Sequence, residues 1–292
     1  MEIFREILLG VVQGITGVLP VSSSAHMILL GRIFDMDSGY LSFFLCLLKI
    51  STLLAVIIIL FKDVMKLIIG AFQLIQDVFS NLFIFFIRLL GRRKEGYFVL
   101  DTNPYKRLVL MLMISSAVTY VIARFIGSIA QNVSRMPMAV GICFLLSALI
   151  LFISDSMGAG KKTVKNMNVL DAVVIGLAQG LSVVPGVSRV VMTLAAAMAL
   201  GFGRSFSLKY SCYLAIPTIT GYALITLHNL AGTAISLGNL GNILAGMLCC
   251  GILSALCLRL MMNLAKKGSY RIFSAYGVII SIITILFSFN LK

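Results

Sequence analysis

Apolar runs separated by short polar breaks fill most of the chain. They occupy roughly 41–61, 64–90, 108–127, 137–153, 207–227, 239–262 and 271–289. A helix needs about 20 apolar residues to cross a bilayer core, and most of these runs meet that length. Two further regions, 7–33 and 169–203, are also apolar but are broken by Gly, Pro and Ser. Each fits a pair of half-helices better than one span. Residues 62–77 carry a polar stripe of Lys62, Lys66, Gln73 and Asp77 beside an apolar face. That stripe predicts a helix lying along the membrane interface before the chain enters the membrane. The pattern as a whole predicts an all-α polytopic membrane protein of roughly eight to ten spanning or half-spanning segments.

The two broken regions repeat one another. Residues 10–27 read GVVQGITGVLPVSSSAHM, and residues 176–193 read GLAQGLSVVPGVSRVVMT. Gly10 matches Gly176, Gln13 matches Gln179 and Gly14 matches Gly180. After one skipped residue, Pro20 matches Pro185 and Ser23 matches Ser188. Interrupted apolar segments at corresponding positions of two halves point to a binding site at a repeat interface within a membrane. The chain reads as one membrane domain over 1–292. The first repeat runs to about 155, the second from about 169, and a polar connector fills 156–168. Two inverted repeats with re-entrant helix pairs meeting at a central site are expected.

Composition agrees with this class. Of 292 residues, 60% are hydrophobic and 12% charged, and mean hydropathy is +1.06. Soluble domains carry about 25% charged residues. The net charge of +14 is not a nucleic-acid footprint, because the basic residues cluster beside the apolar runs. Arg88, Arg92, Arg93, Lys94, Lys106 and Arg107 form one cluster. Lys161, Lys162 and Lys165 form a second, and Lys266, Lys267 and Arg271 a third. Such clusters set orientation and meet anionic headgroups, so these loops are expected on the cytoplasmic side. The opening MEIFREILLG lacks a basic leader and a cleavage site and is read as retained. Six cysteines sit inside apolar runs without CxxC spacing and are expected to be free buried thiols. With two histidines in the chain, no metal-binding His/Cys cluster is present. No metal or other cofactor is expected.

The repeated motif has a chemistry of its own. Pro20 and Pro185 each stop one helical run and suit the first turn of the next. Serines after each proline can cap the helix start. A helix starting inside the membrane aims its positive dipole end at one spot, which suits a phosphate. Ser22, Ser23 and His26 are spaced to share one helical face. Arg189 follows Ser188 and is too costly among apolar residues without an anionic partner, unless it snorkels to an interface. Lys49 lies near the middle of an apolar run, too deep to snorkel easily. It faces either the same anion-binding cavity or a water-filled vestibule.

These motifs resemble the undecaprenyl-diphosphate phosphatases of the bacitracin-resistance type over nearly the whole chain. The resemblance rests on the GVVQG…LPVSSSAHM block, LLAVIIILFKD, the PGVSR block and FSLKYSCYLAIP at 206–217. It implies two interlocking inverted repeats in a bacterial plasma membrane. It also implies removal of one phosphate from the polyprenyl diphosphate carrier of cell-wall synthesis. By resemblance, Ser23 attacks or positions phosphate, His26 is the motif histidine and Arg189 clamps phosphate. Ser22 and Ser188 match supporting hydroxyls, with Gln13 and Lys49 expected on the substrate side. The implied partners are polyprenyl diphosphate or phosphate and membrane lipids, with no nucleic acid and the oligomeric state left open.

The acids of that family pattern do not match. Gln13 stands where the family has glutamate or glutamine, Gly17 where it has glutamate, and Leu45 where a further glutamate opens the next span. Hydrolysing a diphosphate needs a base or activated nucleophile, charge neutralisation and a proton for the leaving group. A divalent cation needs oxygen ligands, usually carboxylates. Glu6 shares the face of Gln13 but lies about 10 Å away at 1.5 Å rise per residue. Three functions therefore stay open: a phosphatase of reduced rate, a polyprenyl-phosphate carrier or flippase, and a lipid-binding pseudoenzyme.

Overall fold

The computed structural model describes residues 2–90, 97–98, 100, 103–158, 160–230, 240–267 and 269–290. Arg92, Arg93 and Lys94 of the first basic cluster lie outside the described residues. Among those described, eleven α-helices and one short 3-10 turn form, and no β-strand. Four helices are short: α1 (Glu2–Thr16), α2 (Ser23–Ile33), α7 (Val169–Leu181) and α8 (Arg189–Ala199). The long ones are α3 (Ser38–Ile59), α4 (Phe61–Leu89), α5 (Pro104–Arg135), α6 (Pro137–Ser156), α9 (Arg204–Leu230), α10 (Leu240–Lys267) and α11 (Arg271–Asn290). All seven are long and apolar enough to cross a membrane, so this is a multi-pass membrane protein.

Local signals set the helix starts. The Asp37 carboxylate accepts from the Tyr40 amide, and the Asn103 side chain from the Tyr105 amide just after Pro104. Asn168 and Asp171 form a reciprocal capping box at α7. Each satisfies amides that a helix start leaves without partners. The two motif prolines differ from the expectation. Pro20 and Pro185 lie in the turns rather than in the first turn of the next helix, because α2 begins at Ser23 and α8 at Arg189.

Glycines bring α1 onto α10 and α7 onto α5. A Cβ on Gly10 would lie 2.2 Å from the Gly246 carbonyl oxygen, and one on Gly14 2.7 Å from that of Cys250. Contacts that advance together along both helices mean that α1 and α10 run parallel. Gly176 approaches the Ser115 carbonyl and Gly180 the Ile122 side chain, so α7 and α5 also run parallel. Hydroxyls lock both seams: Ser254 donates to the Gly14 carbonyl, Ser115 to Ala172 and Thr119 to Gly176. Small residues that admit close backbone approach, joined by side-chain hydrogen bonds, are how helices associate in lipid. By contrast α6 and α11 run antiparallel, with Gly141 beside Ile285 and Gly277 beside Ala148. So do α3 and α9: Lys49 meets Tyr222, while Asp63, just beyond α3, meets Lys209.

One end of the bundle gathers most of the ion pairs. Asp63 pairs with Lys209, Asp155 with Arg204 and Arg271, Asp171 with Lys162, and Asp77 with Lys106. Arg107 donates to the Met167 carbonyl. Described members of all three basic clusters therefore meet at this end. Here α4 departs from the expected course. It is one unbroken helix rather than an interfacial segment followed by a span. Gly70 lies against Tyr105, and Asp77 pairs with Lys106. It is thus held beside the start of α5, on the side where α3 ends. Most of its apolar residues, including Phe72, Phe79, Phe83 and Phe86, are exposed.

All six cysteines are free. Cys46 and Cys250 are buried and the others half-buried, so burial is less complete than the apolar runs suggested.

Candidate phosphate-binding cavity

The chain between α1 and α2 and the chain between α7 and α8 meet at a cavity of about 250 Å³. From α1 and its turn come Gln13, Thr16 and Gly17. The start of α2 supplies Ser22, Ser23 and Ser24. From α3 come Lys49 and Thr52, and from α5 Thr119. The second turn contributes Gln179, Ser182, Ser188 and Arg189, and α9 contributes Thr218 and Tyr222. Gln13, Ser22, Ser23, Lys49, Ser188 and Arg189 thus surround one space. Among the described residues no carboxylate lines it.

Two cations face this space. Arg189 is the first residue of α8, one step after its N-cap Ser188. Among the described residues no carboxylate pairs with it. The Lys49 ammonium sits 3.8 Å from the centre of the Tyr222 ring, so its resting partner is an aromatic face rather than an anion. Both positive ends of short helices, α2 and α8, are on the cavity wall, which adds to the preference for an anion.

The serines are tied across the two halves. Ser22 is the N-cap of α2 but caps nothing with its side chain. Its hydroxyl instead accepts from the Gly186 amide at 3.2 Å. Ser147 on α6 donates to the Gly186 carbonyl and accepts from the Ser188 amide, each at 3.0 Å. The Ser188 hydroxyl accepts from the Val191 amide. Ser147 thereby fixes the turn that delivers Arg189. It had no sequence signal, since a lone serine in an apolar run reads as filler.

His26 does not join the cavity. It is buried behind the wall, edge-on to Phe144 and stacked on Tyr276. Its Nδ1 lies 2.6 Å from the Ser22 carbonyl oxygen and its Nε2 2.7 Å from the Tyr276 hydroxyl. The carbonyl can only accept, so neutral His26 carries its proton on Nδ1 and receives the tyrosine hydroxyl at Nε2. Ser23 and His26 both lie in α2, but the His26 ring turns to the Ser22 carbonyl and to Tyr276 instead of joining Ser23 in the lining. Glu6 also lies elsewhere. It is buried, takes a hydrogen bond from Tyr40 and stands near Arg5. Leu45 packs in the cluster around Leu9 and Phe44.

Several lining residues were missed, and some had a signal. Gln179 was marked by its repeat partner Gln13. Thr52 follows Lys49 by one turn, and Thr218 and Tyr222 share a face of α9 just after Pro217. Thr119 had no local signal, because α5 reaches the cavity through its pairing with α7.

The family model for Bacitracin resistance protein BacA matches residues 6–283. The chain belongs to the BacA family. Family relatives cover almost its full length. An undecaprenyl-diphosphatase of Methanosphaera stadtmanae is 33% identical over 288 residues, 99% of each chain. One from Alkaliphilus metalliredigens is 28% identical with the same coverage. One from Thermosipho africanus is 30% identical over 280 residues, 96% of this chain and 98% of the relative.

Proposed function

We propose that the cavity holds the phosphate end of a polyprenyl phosphate or diphosphate, and that the family's removal of the terminal phosphate proceeds slowly here. The observation that carries this reading is a cavity with two cations and no carboxylate. Membership in a family whose relatives are named undecaprenyl-diphosphatase supplies the lipid diphosphate as substrate class. Arg189 can hold two phosphate oxygens at once and Lys49 can add a point charge. Ser22, Ser23 and Ser188 stand at the helix starts that face the same group. The two halves are read as inverted copies, each supplying one helix start.

The divalent cation that the family resemblance brings into question does not fit. The lining offers hydroxyl and amide oxygens beside two cationic side chains, but among the described residues no carboxylate. Among the described residues no three His, Cys, Asp or Glu side chains cluster as metal ligands. Hard cations take such carboxylates. Phosphate charge is therefore met by Arg189, Lys49 and helix amides. Proton removal from Ser23 or water lacks a base in the lining, and both nitrogens of His26 are engaged elsewhere.

The same observation favours a second reading, binding or carriage of polyprenyl monophosphate without hydrolysis. Phosphate release from polyprenyl diphosphate, measured on purified protein with and without Mg²⁺, separates the two. A general acid or base is worth about 10²–10⁴-fold, so turnover is expected to be slow by that order and insensitive to Mg²⁺. Fast, Mg²⁺-dependent release would reject the proposal. Undetectable release with tight monophosphate binding would select carriage.

A further inference from the structure

Resting on that reading of the cavity, we infer that Gln13 and Gln179 form a paired amide clamp that hydrogen-bonds a lipid monophosphate without a metal. Each is 2% exposed, and both line the cavity from matching positions of the repeat. Gln13 Oε1 and both polar atoms of the Gln179 amide are buried and unsatisfied. An unpaired buried amide costs about 1–3 kcal/mol. A fold that leaves these atoms unsatisfied around one cavity has left room for a ligand to complete them.

The neighbouring hydroxyls sharpen the inference. Thr16 donates to the Val12 carbonyl, Thr52 to Leu48, Thr119 to Ser115, Ser182 to Gln179 and Thr218 to Leu214. Their protons are already committed to backbone, so they can offer an anion nothing but lone pairs. Phosphate oxygens need donors. The uncommitted neutral donors on the wall include the two glutamine amides, which can turn their Nε2 groups toward the ligand. Lys49 and Arg189 bring two positive charges, which balance a phosphate monoester dianion. A glutamate at position 13 or 179 would add a negative charge against that dianion and call for a cation to bridge them. Glutamine at both positions therefore selects a metal-free mode and a monoester headgroup.

The test is equilibrium binding of polyprenyl monophosphate to the full-length protein in EDTA. Hydrogen bonds to a charged group are worth about 1.5–3 kcal/mol, a change of about 10- to 100-fold in affinity. Gln179→Met, close in shape and without donors, is expected to weaken binding by about 10-fold or more, as is Gln13→Met. Gln179→Glu should weaken it at least as much in EDTA and recover when Mg²⁺ is added. Unchanged affinity in both Met variants would overturn the clamp, as would a Glu variant that binds normally in EDTA. Unmodified protein that binds no polyprenyl monophosphate would overturn the cavity reading itself, whatever the glutamine variants do. Unfolding temperatures of each variant identify any that fails to fold, and the remaining position then decides.

Discussion

The turn from α1 to α2 spans residues 17–22, and the turn from α7 to α8 spans 182–188, one residue more. In both, proline stands four positions past the end of the first helix. They then diverge. In the first, Val21 follows the proline and Ser22 is already the N-cap of the next helix. In the second, Gly186 follows at φ +97°, and the helix waits until Ser188. A left-handed residue lets the longer turn take up its extra step, and glycine adopts that conformation without penalty. Gly186 is also pressed against α6, where a Cβ would lie 2.5 Å from that of Cys143. The two copies therefore deliver different groups from one motif. The shorter turn presents a run of serine hydroxyls, and the longer one presents a guanidinium. Internal repetition preserved the scaffold, while a one-residue difference in turn length changed what arrives at the centre.

Forcing the second turn to resemble the first should have the largest effect. Gly186→Val combines a left-handed β-branched residue with a clash against α6. The conformational part costs about 1–2 kcal/mol and overpacking about 1–3. A lower unfolding temperature in detergent and loss of lipid binding are expected. The reciprocal Val21→Gly should lower the unfolding temperature less, because it strains nothing.

Next in size is the guanidinium. Arg189→Gln should weaken polyprenyl monophosphate binding by about 10- to 100-fold, from loss of charge-assisted hydrogen bonds. The comparable change at the serine turn, Ser23→Ala, removes one hydroxyl and no charge, and should cost about 10-fold, the low end for a hydrogen bond to a charged group. Equal losses at the two positions would erase the division of labour between the turns. Lys49→Gln should fall between them, since its cation already rests on Tyr222.

The smallest effect is expected at Tyr276→Phe, which removes one hydrogen bond to His26. That is worth about 1 kcal/mol. A modest fall in unfolding temperature with little change in affinity fits a histidine that supports the Ser22 backbone. A collapse of binding would instead place His26 in direct service of the ligand.

Much of this was legible in the chain because it is local. Glycine, proline and serine spacing announced the two turns, and the cost of buried charge drew Lys49 and Arg189 toward one cavity. What was hidden depends on partners distant in sequence. The Tyr276 hydroxyl that takes His26 out of the cavity lies 250 positions away. Ser147 holds Gly186 and Ser188 from another helix entirely. The course of α4 was half legible. Its polar stripe predicted an interfacial segment ahead of a span, whereas one unbroken helix forms, and the contact with Tyr105 and Lys106 that holds it at one end is tertiary. Gly17 gained meaning only in three dimensions. A Cβ there would lie 2.7 Å from the Gln13 carbonyl oxygen, so reinstating a glutamate at that position requires the turn to move.

The parallel seam between α1 and α10 bears on how the molecule is made. Helix α1 is completed by α10, which is synthesised long after it. Ser254 reaches the Gly14 carbonyl across 240 positions of chain. Contacts so distant in sequence are slow to form. Until they do, the bare glycine face of α1 must be sheltered by lipid or by the insertion machinery. A chain truncated before α10 would therefore unmake the wall built by α1, rather than lose only a tail.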